Sequence, residues 1–250
     1  MLHGQGDVDV QLHHYLFNGT MCGGSYIELG AMDGTSFSNS YYLNKAFDWK
    51  GVLIEATPTE AEKIPANRPN EIAIINAGVC HEPQTLHFVH KTGSVNGFWE
   101  FASPEFRRGF WKGVSLKRDT IPVECQTMSH LLQQHAPQIQ HYDLFSLDVE
   151  GAELEALKSI DFTKIGFGVI VVEADARDKL KDQAVRDFLT AQGYVMVPKK
   201  VPMPPAPDED HVIPDDEYQE YWPKAQEWND FFLHKDFDTI YKQFSRQPRL

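Results

Sequence analysis

Three scarcities in the sequence each remove a class of function. No apolar run approaches the ~20 residues that a membrane span requires, so no direct membrane span is expected. The opening MLHGQGDVDV lacks the basic and apolar regions of a secretory signal. Cysteine is rare: Cys22, Cys80 and Cys125 are an odd set with no Cys-x-x-Cys spacing. Neither a disulfide framework nor a zinc site is suggested, and buried or half-buried free thiols are the expectation. A reducing, cytoplasmic location is therefore the default. Basic residues are also few, with 23 Lys and Arg against 36 Asp and Glu and a formal net charge of -13. Nucleic-acid affinity comes mainly from clustered Lys and Arg, so no nucleic-acid partner is expected. Association with anionic membrane is disfavoured on the same grounds. A cationic or neutral small molecule meets no such barrier.

What is present is core material. The 250 residues are 42% hydrophobic and 12% aromatic, enough for one sizeable core and a single domain over 1–250. Ser25–Leu29 reads as a buried strand, followed by glycines and a helical stretch from about Asn39 to Phe47. Val52–Glu55 is a second strand. Thr57 caps the next helix, Pro58 suits its first position, and Glu60 completes a capping box. Ile72–Ile75, Asp143–Asp148, Gly168–Glu173, Tyr194–Val197 and Phe231–His234 are further strands. Ala152–Ser159 and Lys179–Gln192 are helices, the latter closed by Gly193. Such alternation implies parallel β-α-β units with right-handed crossovers. Leu86–His90 and Thr120–Thr127 are strands around an aromatic segment, Phe98–Trp111, which reads either as core cover or as a pocket wall. Lys199–Pro223 is an acidic, proline-rich insertion of exposed-loop composition.

Chemistry concentrates at strand ends. In YIELGAMDG, Tyr26–Gly34, a strand runs into Gly30, and Gly34 removes a second side chain near the backbone. This Gly-x-x-x-Gly spacing is not the Gly-x-Gly-x-x-Gly of nicotinamide sites, which disfavours an oxidoreductase. Ser38-Asn39-Ser40 begins a helix whose free N–H groups suit a carboxylate or phosphate. Glu55 lies 21 positions after Gly34, near the ~20-residue offset at which an acidic residue meets ribose hydroxyls. FSLDVEGAELEAL delivers Asp148, Glu150 and Glu153, and GVIVVEADA delivers Glu173 and Asp175. Four strands thus end in acidic groups (Glu28, Glu55, Asp148 and Glu173), a costly convergence unless something positive or proton-donating sits there. His81, His87 and His90 read as structural or exposed, and the adjacent His13 and His14 as pointing apart.

The ordered set ELGAMDGTSFSNS, WKGVLIEATP, INAGV, SLDVEGAELEAL and VIVVEAD, with the closing WNDFFLHK, resembles the FkbM-type methyltransferases. They are a branch of the Rossmann-like S-adenosylmethionine-dependent enzymes. The resemblance spans roughly Gly4 to Lys235 and is weakest over Phe98–Arg118 and the acidic insertion. It implies an α/β, Rossmann-like class I methyltransferase fold: a seven-stranded, mostly parallel sheet with an antiparallel last strand and helices on both faces. It also implies S-adenosylmethionine as cofactor. Glu28, Gly30, Asp33 and Gly34, helped by Ser38 and Asn39, would line the methionine end. Glu55, beside Ala56, would hold the ribose, with Asn76 and Ala77 beside the adenine. Asp148 and Glu150 would face the transferred methyl group.

The expected reaction is O-methylation of a hydroxyl on a small molecule or sugar. Methyl transfer from sulfur is an in-line displacement, so alignment contributes up to roughly 7–11 kcal/mol. The hydroxyl proton must also leave, for which Asp148, Glu150 and Glu173 are candidates. A divalent metal bridging Asp148 and Glu173 lacks a clear third ligand, so no metal is assigned. The competing reading is a catalytically silent methyltransferase fold that binds a protein partner.

Overall fold

Alternation of side chains along the strands decides which face each residue buries. In the computed structural model, residues 4, 8–90, 92–174, 178–198 and 228–242 are described. Asp175 and the insertion at 199–223 lie outside them. The chain opens with helix α1 (Val8–Phe17), strand β1 (Ser25–Leu29), helix α2 (Tyr41–Phe47) and strand β2 (Lys50–Glu55). Two single-turn helices, α3 (Pro58–Ala61) and α4 (Ile64–Asn67), lead to β3 (Ala73–Asn76). Four strands then leave the main sheet: β4 (Gly78–Val79), β5 (Gln84–Val89), β6 (Gly97–Phe98) and, after helix α5 (Pro104–Phe110), β7 (Thr120–Gln126). Helix α6 (Met128–His135) returns the chain to β8 (His141–Leu147), α7 (Glu153–Lys158), β9 (Gly166–Glu173), α8 (Lys179–Ala191), β10 (Tyr194–Met196), β11 (Asn229–His234) and α9 (Phe237–Ile240).

The main sheet has seven strands in the order β3-β2-β1-β8-β9-β11-β10. β1 pairs in parallel with β2 and β8, β2 with β3, and β8 with β9. β11 runs antiparallel to both β9 and β10. Ile27, Val52, Phe145 and Ile170 point to one face, under residues of α6, α7 and α8. Tyr26, Leu53, Leu144 and Val169 point to the other, under α1, α2 and α9. Each face buries a separate apolar layer, and this is the α/β, Rossmann-like class I methyltransferase architecture.

The departures from expectation have local causes. The expected capping box is not formed: Thr57 makes no side-chain cap hydrogen bond, and its backbone N–H, which the box would give to Glu60, donates instead to the Glu55 carboxylate at 2.7 Å. Helix α2 starts at Tyr41 rather than Asn39, since the Asn39 N–H donates to Glu28 at 2.8 Å. The N–H expected to be free for a ligand is thus taken. β8 ends at Leu147, leaving Asp148 just beyond the strand. The middle strands form a second sheet, β4-β7-β5-β6. There Cys80 and Cys125, both fully buried, are joined by a disulfide with Cα atoms 5.7 Å apart. This overturns the expectation of free thiols for two of the three cysteines; spacing alone gave no sign of it because 45 positions separate them. Cys22 is free and exposed.

Candidate active site

The ends of β1, β2, β8 and β9 meet around a cavity of about 370 Å³. Glu28, Glu55, Asp148 and Glu173 all line it, so the four strand-end carboxylates converge as their positions implied. This is the switch point of the sheet, where β1 is flanked by β2 on one side and β8 on the other, and where open α/β sheets bind ligands.

At the β1 edge, Glu28 is locked by its own loop. Its carboxylate accepts from Ser38 Oγ (2.8 Å), the Asn39 N–H (2.8 Å) and Ser40 Oγ (2.5 Å). Burial pushes the Glu28 carboxyl up, against the opposing effect of the Arg68 guanidinium and these hydrogen bonds. Asn39 donates its amide N–H to Ser146 Oγ at 3.1 Å. Its buried Oδ1 has no hydrogen-bond partner, and Asn39 lines the cavity. Asp33 turns away into its own turn, accepting from the N–H groups of Thr35 and Ser36 and from Ser36 Oγ. Burial raises its carboxyl, but the Ser36 and Thr35 hydrogen bonds outweigh it and hold Asp33 below its ordinary range. Gly34 meets a protein neighbour instead: a Cβ there would lie 3.0 Å from Arg68 Cγ. Gly30 and Asn39 therefore line the cavity, whereas Asp33, Gly34 and Ser38 support the loop from behind.

At the β2 edge, Glu55 accepts from the Met32 N–H at 2.9 Å and the Thr57 N–H at 2.7 Å, one on each oxygen. Burial raises its carboxyl, opposed chiefly by the Thr57 hydrogen bonds. Two backbone donors fix the plane of the carboxylate and leave further lone pairs for hydroxyl donors. Ala56 and Ala77 form small-residue wall beside it. Asn76 sends its Nδ2 back to the Glu55 carbonyl at 2.8 Å and does not line the cavity.

At the β8 and β9 edges, Asp148, Glu150 and Glu173 bring carboxylate oxygens within 4.8 Å of one another. Glu150 reaches this position on a left-handed backbone, φ 55°. Burial first, then the charges of Asp148, Glu150 and Glu153, push the Glu173 carboxyl well above the usual carboxylate range. Lys181 opposes this, while its ammonium pairs with Glu153 at 3.1 Å. Three carboxylates at this spacing suit a shared proton or a hard cation.

Several functional groups carried no signal in the sequence. Arg68 is fully buried and ties the loop together, donating to the Gly34 carbonyl (2.8 Å), Ser40 Oγ (2.9 Å) and Glu71 (2.7 Å). Tyr26 completes this network by donating to Glu71 at 2.6 Å. His90, expected to be structural or exposed, lines the cavity with a buried Nδ1 that has no hydrogen-bond partner. Among the other histidines, His87 pairs with Glu100 at 2.7 Å on the surface, and His13 bonds the Met21 carbonyl at 2.7 Å in the core. The aromatic segment serves both readings: Phe98 and Phe110 line the cavity, while Phe106 and Trp111 pack with Val89 and Ala102 beneath it.

A family model described as "Methyltransferase FkbM domain" matches residues 28–196. No curated protein matches the sequence. Among solved structures, the chain is similar to a Methyltransferase FkbM from Methylobacillus flagellatus KT, with 11% identity and a TM-score of 0.44, over 84% of this chain and 43% of that one. It is also similar to an O-methyltransferase from Bacillus cereus in complex with SAH, with 10% identity and a TM-score of 0.42, over 92% and 78% of the two chains. For the precorrin-6y C5,15-methyltransferase from Geobacter metallireducens GS-15, the values are 12%, 0.41, 77% and 73%.

Proposed function

The chain belongs to the FkbM methyltransferase family, and from that premise we propose that it methylates a hydroxyl of a small molecule or sugar with S-adenosylmethionine. The observation that carries this reading is the cavity with a fixed carboxylate, Glu55, at one edge and the Asp148–Glu150–Glu173 cluster at the other.

The residues present fit the cofactor. Glu55 is oriented to accept hydrogen bonds from a ribose diol. The unpartnered Oδ1 of Asn39 is a buried acceptor awaiting a donor, and the cofactor's ammonium is one. Small Ala56 and Ala77 leave a flat wall for the adenine. When bound, S-adenosylmethionine supplies an electrophilic methyl group. The chain itself supplies orientation and a proton acceptor. With Glu173 held toward its protonated form, it donates a hydrogen bond to the acceptor. Asp148 and Glu150 then take the hydroxyl proton, a role worth roughly 10²–10⁴-fold in rate.

Calorimetric titration with S-adenosylmethionine tests this reading. Binding is expected, with its loss in Glu55→Ala; no binding, or unchanged binding in the variant, would leave the silent partner-binding module as the better account. For location, no helix among the described residues is long and apolar enough to cross a membrane. The Cys80–Cys125 disulfide removes the cysteine argument for a reducing cytoplasm and favours an oxidising compartment.

A further inference from the structure

We propose that the methyl acceptor is a neutral, unphosphorylated glycosyl unit, and that the cavity discriminates against acidic and phosphorylated versions of the same sugar. The inference rests on the methyltransferase reading above and narrows its acceptor.

The acceptor end of the cavity has two chemically distinct sides. One is the carboxylate cluster of Asp148, Glu150 and Glu173. The second sheet supplies the other, and its placement is fixed by close backbone packing. Val89 pairs with Gly97 across β5 and β6, and a Cβ on Gly97 would lie 3.2 Å from Glu150 Cβ. That contact seats the end of β5, and with it His90, beside the acidic turn. Phe88 and Phe98 come from the same pair of strands and line the same cavity.

Two aromatic side chains line this cavity with part of their surface exposed. Phe37 is 58% exposed and Phe110 36% exposed, and both line it. Phe37 is held out on a left-handed backbone, φ 57°, between a turn closed by Asp33 and a segment clamped by Glu28. An apolar ring kept exposed on a strained backbone suits a ligand contact better than a fold requirement.

Ionised carboxylates only accept hydrogen bonds, so their complement is a molecule rich in donors. Exposed aromatic faces carry negative quadrupole charge and favour the weakly positive C–H face of a ring. A pyranose offers both, with vicinal hydroxyls on its rim and C–H bonds on its face. A phosphate or carboxylate on that ring would meet Asp148 and Glu150 as like charges. A protonated amine is attracted by the same carboxylates, but it has no free lone pair to methylate and would sit beside a sulfonium. His90 gives one more hydroxyl partner through its unpaired ring nitrogen, if the ring turns on binding. In the balanced reaction the acceptor oxygen gains a methyl group and loses one proton to the carboxylates, and the cofactor leaves as the neutral thioether.

The test is binding of methyl glycosides to the whole chain saturated with S-adenosylhomocysteine, read by ligand-observed NMR and calorimetry. The neutral panel comprises methyl gluco-, galacto-, manno-, xylo-, fuco- and rhamnopyranosides. The charged set comprises the uronides and 6-phosphates of the gluco, galacto and manno members, with catechol as a flat phenolic control. At least one neutral glycoside is expected to bind ~10-fold or more tightly than its charged counterparts. Phe110→Ala should weaken that binding while leaving S-adenosylhomocysteine affinity and the melting temperature in place. Tighter binding of a uronide, phosphate or catechol overturns the proposal, as does failure of every neutral glycoside to bind. Failure of S-adenosylhomocysteine itself to bind would instead overturn the parent reading.

Discussion

Gly30 packs its α-carbon against the backbone carbonyl oxygen of Asp148, leaving no space for a side chain between them. This contact joins the β1 turn to the residue that follows β8, so that turn and the acidic cluster are set relative to each other by backbone. Gly30 also has φ 90°, outside the range that L side chains favour. Gly30→Ala is expected to cost at least ~1–2 kcal/mol from conformation alone, with displacement of Asp148 added. Thermal melting should fall by ~2–4 °C per kcal/mol, and methyl transfer should fall further than stability. A variant with unchanged melting and turnover would show that the turn is not rigid.

A buried cation holds the other side of the same loop. Arg68 reaches Glu71, Tyr26, Ser40 and the Gly34 carbonyl from a fully buried position. Removing one partner of a buried ion pair costs ~3–5 kcal/mol, because the other charge is left stranded. Arg68→Met should therefore lower stability by that amount in chemical denaturation and weaken cofactor binding through Glu28. Adding Glu71→Gln should recover part of the stability, since the stranded charge is gone. Full additivity of the two losses would contradict this assignment.

The sequence made the strands and their acidic ends legible because each is a local pattern. Valine-rich runs with a carboxylate at the end, such as GVIVVEADA, carry their meaning within a few residues. Strand β1 spans Ser25–Leu29, the bounds that its buried pattern predicts. What stayed hidden depends on pairing across the chain. Arg68 looks like a surface residue before a proline until Glu71, Tyr26 and Ser40 are brought around it. The Cys80–Cys125 disulfide and the second sheet it spans are likewise products of tertiary contact. Helix α1, with the buried Asp9 and His13 on its length, shows little amphipathic contrast and so gives no helical signal in the sequence.

That disulfide carries its own prediction. It closes a loop with a sequence separation of 45 within the second sheet, for which chain entropy gives ~4 kcal/mol of stabilisation. Reduction, or Cys80→Ser with Cys125→Ser, should lower the melting temperature and loosen the cavity wall that Phe88 of β5 and Phe98 of β6 form. Thiol titration of the native chain should find one reactive cysteine, Cys22, which is exposed. Three reactive thiols in chain purified without reductant would contradict the disulfide.

The carboxylate cluster makes a metal worth testing directly. Positive charge is already supplied next to it, since Lys181 pairs with Glu153 and its charge acts on Glu173. Methyl transfer is thus expected to be unchanged by exhaustive chelation with EDTA. A rate that collapses with EDTA and returns with Mg²⁺ or Mn²⁺ would assign Asp148, Glu150 and Glu173 to a hard cation.

The titration of Glu173 gives a pH signature with a definite sign. Burial, followed by the charges of Asp148, Glu150 and Glu153, raises its carboxyl in the folded chain. An unfolded glutamate titrates near ~4.3, so the folded state binds the proton more tightly than the unfolded state does. The resulting stabilisation is fully present below that unfolded value and is lost as pH rises through the raised folded value. Glu173→Gln keeps the shape and removes the titration. Its melting temperature should exceed the wild type by a few degrees at neutral pH, by ~2–4 °C for each kcal/mol relieved. The advantage should shrink as pH falls and vanish below the ordinary carboxylate range. A difference that is constant with pH, or that grows on acidification, would mean that Glu173 is ionised and satisfied in the folded chain, and its role as hydrogen-bond donor to the acceptor would fall with it.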